Sequence, residues 1–303
     1  MRMSRFNFIT AIGTPLTEDD QLHRAGLEAQ IEDQHSAGID GMLVAGTMGL
    51  LQLLSDETYQ QLVEESIALT RGRMEVLVGA GDASFARTAQ RIEYLNGLKG
   101  IDGIVLLSPY FIAFSQAEMI DYFTALADVA ERPIYMYDLP VRCHVALDYE
   151  TVATLSKHPN IAGIKCSGDV VGARRLYDEV RREDFRVIIA QPLIMDLLLR
   201  VGIAEHLDGI YAVFPQWITA MGRAAEKGDW QEVTRLQHQV ATVLNELRHR
   251  SVYGVFTALM NARGIPGRYA PRPMRMLSEA QTQETLSTPA VKTMLQDLPI
   301  LQA

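Results

Sequence analysis

The chain has 303 residues, 48% hydrophobic and 21% charged, with a formal charge of −9 and a pI near 5.3. The acidic balance argues against binding a nucleic-acid backbone, which needs a basic face. Two cysteines, Cys143 and Cys166, are too few for a secreted disulfide framework. No uninterrupted apolar run reaches bilayer length, and the opening MRMSRFNFIT lacks the apolar segment of a signal peptide. A cytoplasmic protein without membrane contact is expected.

Eight strand-length apolar runs follow in order: FNFITAI (6–12), GMLVAG (41–46), EVLVGAG (75–81), GIVLLSP (103–109), PIYMYDLP (133–140), IAGIKCS (161–167), FRVIIAQ (185–191) and GIYAVF (209–214). Continuous rather than alternating apolarity suits parallel strands covered on both faces. Amphipathic stretches lie between them. Ser55 opens SDET and predicts a helix to about Thr70; Asp82 and Ser84 can cap one to about Leu95. Ser115 opens SQAE before MIDYFTALADVA, and Asp148 opens DYETVATLSKH. Eight strands, each followed by a helix, predict an α/β fold, the (β/α)8 TIM barrel. The first turn, TAIGTPLTED, has no GxGxxG, as an open nucleotide-binding sheet would. Past residue 215 the pattern becomes helical, with a break at Lys227–Gly228 and a Gly/Pro loop, GIPGRYAPRPM. The expected division is a barrel over 1–224 and a C-terminal helical extension packed on it over 225–303.

Lys165 interrupts the sixth run near its end, where barrel strands face the active site. With period two, Ile161, Gly163, Lys165 and Ser167 share one face, Gly163 leaving room beneath the lysine stem. A lysine at a strand end can snorkel to water or pair with a carboxylate. No Asp or Glu occurs from 151 to 168. A desolvated amine is instead a nucleophile that can attack a ketone and form a Schiff base. Tyr137 ends the adjacent run at comparable height, and a phenol can shuttle the protons of imine chemistry. A core tyrosine with a satisfied hydroxyl is the alternative. Gly46, Thr47, Met48 and Gly49 form a tight turn after the second run. Their N–H groups could hold a carboxylate, and the Thr47 hydroxyl could relay protons to Tyr137. An ordinary βα turn would read the same.

Taken together, GTMG (46–49), SPYF (108–111), YDLP (137–140) and GIKCSGD (163–169) resemble motifs of the dihydrodipicolinate synthase/N-acetylneuraminate lyase family of class I, pyruvate-dependent aldolases. Their counterparts there are a GTTGE- or GSTGE-type loop, the strand-four loop, YNxP and GIKxSSGD. The resemblance runs from about residue 6 to the C-terminal helices. It implies a (β/α)8 barrel with a helical C-terminal domain, assembled as a homo-oligomer, a dimer or a homotetramer. It also implies Lys165 as Schiff-base lysine, Tyr137 as general acid/base, and Thr47 as the residue on the substrate carboxylate, with Gly46 and the Met48 N–H beside it. The partner is then a small 2-oxo acid, and no metal or organic cofactor is implied, since the protonated imine is the electron sink.

Departures from the family pattern bear on the substrate. Phe111 stands where synthases place a second tyrosine. Met48 and Leu50 replace the second threonine and the glutamate of the loop. Gln191 and Pro192 replace a Gly-Asp or Gly-Asn pair at the strand-seven end, and Tyr211, expected on strand eight, replaces a smaller residue. These changes favour an aldolase or dehydratase acting on pyruvate or a 2-oxo-3-deoxy acid. Arg142 matches an arginine of the synthases, which keeps condensation of pyruvate with aspartate semialdehyde as the alternative. A barrel that binds 2-oxo acids without turnover is a third reading. None of the seven histidines shows HxH or HExxH spacing, so no metal site is expected, and His206 with Asp208 reads as a surface pair before strand eight. Cys166 is expected to face the helical layer, and Cys143 to lie in an exposed loop.

Overall fold

In the computed structural model, which describes residues 6–301, parallel strands succeed one another as a closed barrel, β1-β2-β3-β4-β5-β6-β7-β8. They are β1 (Asn7–Ala11), β2 (Gly41–Val44), β3 (Glu75–Gly79), β4 (Gly103–Leu107), β5 (Ile134–Asp138), β6 (Ile161–Cys166), β7 (Arg186–Ile189) and β8 (Glu205–Asp208). The (β/α)8 barrel is thus present. Residues 1–5, part of the segment read for a signal peptide, and residues 302–303 lie outside the described residues.

The helices are α1 (Arg24–Ala37), α2 (Asp56–Thr70), α3 (Phe85–Asn96), α4 (Gln116–Val129), α5 (Pro140–Cys143), α6 (Tyr149–Leu155), α7 (Val170–Glu179) and α8 (Met195–Arg200). After them come α9 (Pro215–Glu226), α10 (Trp230–Leu247), α11 (Val252–Ala262), α12 (Glu279–Leu286) and α13 (Pro289–Asp297). The serine caps read from the sequence form, while Asp148 stands at the start of α6 without a side-chain cap bond. Ser55 accepts from the Thr58 N–H, Ser84 from Arg87, and Ser115 closes a reciprocal capping box with Glu118. Among the described residues no helix is long and apolar enough to cross a membrane.

The first seven strands fall inside the apolar runs, and the eighth does not. It is EHLD, and GIYAVF after it passes through a 3-10 turn at Ile210–Ala212 into α9. Both carboxylates of this polar strand have partners, and the Asp208 Oδ1 accepts from the Ile210 N–H at 3.0 Å. Glu205 pairs with Arg186 at 2.7 Å. His206 is 1% exposed and pairs in register with Ile189 of β7, so it belongs to the strand and is not half of a surface pair. The apolar residues of 211–214 are buried for a different reason: they build core.

The chain divides into two compact units. One comprises the residues up to Met74, Pro192–Ala204 and those from Asp208 onward. Its core gathers Phe8, Met195, Tyr211, Phe214, Trp217 and Met260, among others. A fully buried ion pair lies in the same unit. The Nη1 and Nη2 of Arg263 (α11) meet the Asp33 (α1) carboxylate at 2.7 Å, and Nη1 also donates to the Val213 carbonyl. The other unit comprises Glu75–Gln191 with Glu205–Leu207. At its strand starts Arg186 binds Glu75 at 2.6 Å, Glu205, and the Tyr135 hydroxyl at 3.4 Å. A Cβ on Gly163 would stand 2.5 Å from the Arg186 carbonyl and 2.9 Å from the Tyr135 ring. The space at Gly163 therefore belongs to Tyr135 and the β7 backbone, not to the lysine stem.

Candidate active site

The second unit holds the lysine. β5 and β6 pair so that Tyr137 lies opposite Lys165, and both side chains are almost fully buried, at 6% and 5% exposure. The Lys165 Nζ sits 3.6 Å from the centroid of the Tyr137 ring and donates to the Ser167 Oγ at 3.1 Å. Alternation places Ser167 on the lysine's face. Among the described residues no carboxylate forms an ion pair with Lys165. The reading as a snorkelling or salt-bridged lysine loses its basis: the amine is almost fully buried and has no carboxylate partner among the described residues. When neutral, a buried amine of this kind can act as a nucleophile.

Around it the strand ends are tied together. Ser167 N–H donates to the Asp138 carbonyl, and the Gln191 amide donates to the Gly168 carbonyl at 2.9 Å. Gln191 therefore bridges the ends of β6 and β7. Asp138, the aspartate of YDLP, turns away from Tyr137 by strand alternation, and its Oδ1 accepts from the Leu147 N–H at 3.0 Å. Burial pushes its carboxyl up to about 6. Arg142 lies on α5 and is exposed. Phe111, in the loop after β4, is 83% exposed with φ +87°, a left-handed backbone that a bulky residue rarely adopts.

Both cysteines are buried. Cys143 is not an exposed loop thiol: it is 0% exposed and donates to the Ser108 carbonyl at 3.2 Å. The short helix α5 carries it inward. Burial pushes the Cys143 thiol up to about 12, and raises that of Cys166 as well. Neither supplies a thiolate at neutral pH. After β3 the Asp82 carboxylate pairs with Arg87 and with Arg91, the latter at 3.1 Å.

The first unit holds the loop after β2. Ala45 and Leu50 flank it with φ +51° and +55°. Two non-glycine residues in the left-handed region mark stored strain of the kind found at ligand-binding sites. A Cβ on Gly49 would crowd the Thr14 hydroxyl at 3.1 Å and the Ile12 carbonyl at 3.2 Å. Thr14 donates to the Gly49 carbonyl at 2.7 Å, and Tyr253 of α11 donates to the Thr47 carbonyl at 3.2 Å. The Thr47 Oγ1 is buried without a hydrogen-bond partner among the described residues. The Met48 side chain packs on Gly209, where a Cβ would come within 2.7 Å of it.

Tyr211 is corrected. It was expected to line the pocket from strand eight, yet it lies in the 3-10 turn, 0% exposed, edge-on to Phe8. Its hydroxyl donates to the Met195 sulfur at 3.3 Å, so it is a core residue and not a substrate contact. Tyr253 carried no signal in the sequence. Tyr253 lies 206 residues from the carbonyl it holds, beyond any local pattern.

Residues 5–291 match the model of the Dihydrodipicolinate synthetase family. The 4-hydroxy-tetrahydrodipicolinate synthase of Exiguobacterium sibiricum is 40% identical over 243 residues, 78% of this chain and 81% of that protein. That of Methanosphaerula palustris is 29% identical over 283 residues, 91% of this chain and 94% of that one. The solved structure of 4-hydroxy-tetrahydrodipicolinate synthase from Methylacidiphilum fumariolicum SolV superposes with a TM-score of 0.85 at 26% identity, covering 98% of both chains. The chain belongs to the Dihydrodipicolinate synthetase family and is an enzyme of that kind, a Schiff-base-forming class I lyase.

Proposed function

We propose that Lys165 is the imine-forming residue and that the substrate is pyruvate or a 2-oxo-3-deoxy acid. The observation that carries this reading is the buried Lys165 amine, without an ion-pair partner among the described residues, beside Tyr137. The neutral amine adds to the C2 carbonyl, and loss of water gives the protonated imine. In the cleavage direction the bond between C3 and C4 breaks, its electron pair moves into the imine, and an aldehyde leaves. The resulting enamine takes a proton at C3, and hydrolysis returns the amine and pyruvate. Tyr137 serves as the acid and base of these steps. Thr47, with the N–H groups of Met48 and the neighbouring loop, holds the carboxylate, and the unpartnered Thr47 hydroxyl supports that role. Arg142 and Gln191 serve the far end of the substrate.

The departures at Met48, Leu50 and Phe111 favour cleavage or dehydration of a 2-oxo-3-deoxy acid. Phe111 has no hydroxyl to pass a proton, and Met48 brings an apolar side chain where a second threonine would offer a hydroxyl. A second reading, condensation of pyruvate with aspartate semialdehyde, is favoured by Arg142 and by the names of the relatives above. A product assay separates them: pyruvate or a dehydrated product formed from 2-oxo-3-deoxy acids supports the first, and consumption of pyruvate only with aspartate semialdehyde supports the second. Loss of either activity in Lys165→Ala ties it to this site. The assembly is a homo-oligomer, dimer or tetramer, with Phe111 and Ile112 as exposed apolar contacts. A cytoplasmic location fits the two buried free cysteines.

A further inference from the structure

The loop after β2 is held at its backbone by a residue from the far end of the sequence. The Thr47 carbonyl accepts the Leu50 N–H at 3.2 Å and the Tyr253 hydroxyl at 3.2 Å. A turn that closes on itself needs only the first of these. The second fixes the plane of the peptide that joins Thr47 to Met48, because a carbonyl oxygen and the following N–H point in opposite directions across one rigid unit. Holding the Thr47 oxygen toward α11 therefore aims the Met48 N–H the other way. Neither the Met48 nor the Gly49 N–H has a partner among the described residues, and the Thr47 Oγ1 has none. Three neighbouring donors left open on one loop form a nest suited to an anion, and such a nest works only if its peptides do not rotate.

We infer that Tyr253 is a positioning residue for 2-oxo acid recognition: by holding the Thr47 carbonyl it orients the loop's open donors toward the substrate carboxylate. This rests on the proposed imine chemistry at Lys165. Tyr253 touches the Thr47 backbone and acts through it. The loop is pinned independently at Gly49 by Thr14 and by Met48 on Gly209, so removing one hydroxyl leaves its fold in place.

The test compares Tyr253→Phe with the unaltered protein, using two carbonyl compounds that differ only in the carboxylate, pyruvate and acetone. Borohydride is added during exposure to each, and the rate of adduct formation at Lys165 is followed by mass spectrometry. Loss of one oriented hydrogen bond is expected to slow pyruvate trapping about tenfold and to leave acetone trapping within about twofold. The pyruvate-to-acetone ratio cancels any loss of folded protein, and a thermal melt of both proteins checks it. Equal slowing with both compounds, or with neither, overturns the role of Tyr253. No adduct at Lys165 in the unaltered protein would instead overturn the imine reading beneath it.

Discussion

Asp138→Asn should change how folding stability depends on pH. The Asp138 carboxyl is half-buried, accepts one hydrogen bond from the Leu147 N–H, and forms no ion pair among the described residues. Burial raises it from the usual 3.8 to about 6. The folded state therefore keeps this proton to higher pH than the unfolded chain. Its contribution is full below about pH 4 and is lost as pH rises to 6, then stays lost. A shift of about two units corresponds to about 3 kcal/mol. Asparagine keeps an oxygen for Leu147 and never ionises. Relative to the native residue, the variant should gain about 0.5 kcal/mol at pH 4 and about 3 kcal/mol at pH 7.5. Urea unfolding at the two pH values measures this through the midpoints, provided the slopes agree. Stability curves that run parallel from pH 4 to 7.5 would mean that Asp138 ionises as freely folded as unfolded, and the burial argument would fail.

Other outcomes follow from the same contacts. Arg263→Met strands the buried Asp33 carboxylate and should cost about 3–5 kcal/mol in urea unfolding, much of it recovered by adding Asp33→Leu; a loss under about 1 kcal/mol would contradict the ion pair's burial. Tyr211→Phe removes one hydroxyl from the core, so stability should fall by about 1 kcal/mol or less while KM and kcat stay within about twofold. A tenfold rise in KM would put that hydroxyl on the substrate after all. Phe111→Glu, at an exposed site, should shift sedimentation toward smaller species while changing the chain's own stability by about 0.5 kcal/mol or less; an unchanged distribution would remove Phe111 from any assembly contact.

Where the sequence was legible, a local signal existed. Strand-length apolar runs marked β1 to β7, and serine caps marked α2, α3 and α4, because burial and capping act within a few residues of chain. Period-two alternation set Lys165 and Ser167 on one face, and the pairing of β5 with β6 brought Tyr137 opposite. What failed to read depended on distant partners. β8 is polar because Arg186 neutralises Glu205, and the apolar residues after it are core, so the hydrophobic signal was displaced by a few residues. Tyr211 was misplaced by the same displacement. Cys143 turned inward because α5 is a helical turn too short to show a period. The space at Gly163 went to Tyr135, whose ring is set by Arg186 and Gly103. Tyr253 reaches the Thr47 loop only through the folded chain.

The central claim is that the Lys165 amine forms the imine. Pyruvate with borohydride, followed by intact-mass analysis and peptide mapping, tests it directly, with Lys165→Ala beside it. The account predicts a single stable adduct on the peptide containing Lys165, absent from the variant. An unmodified protein, or an adduct that persists in Lys165→Ala, would contradict it.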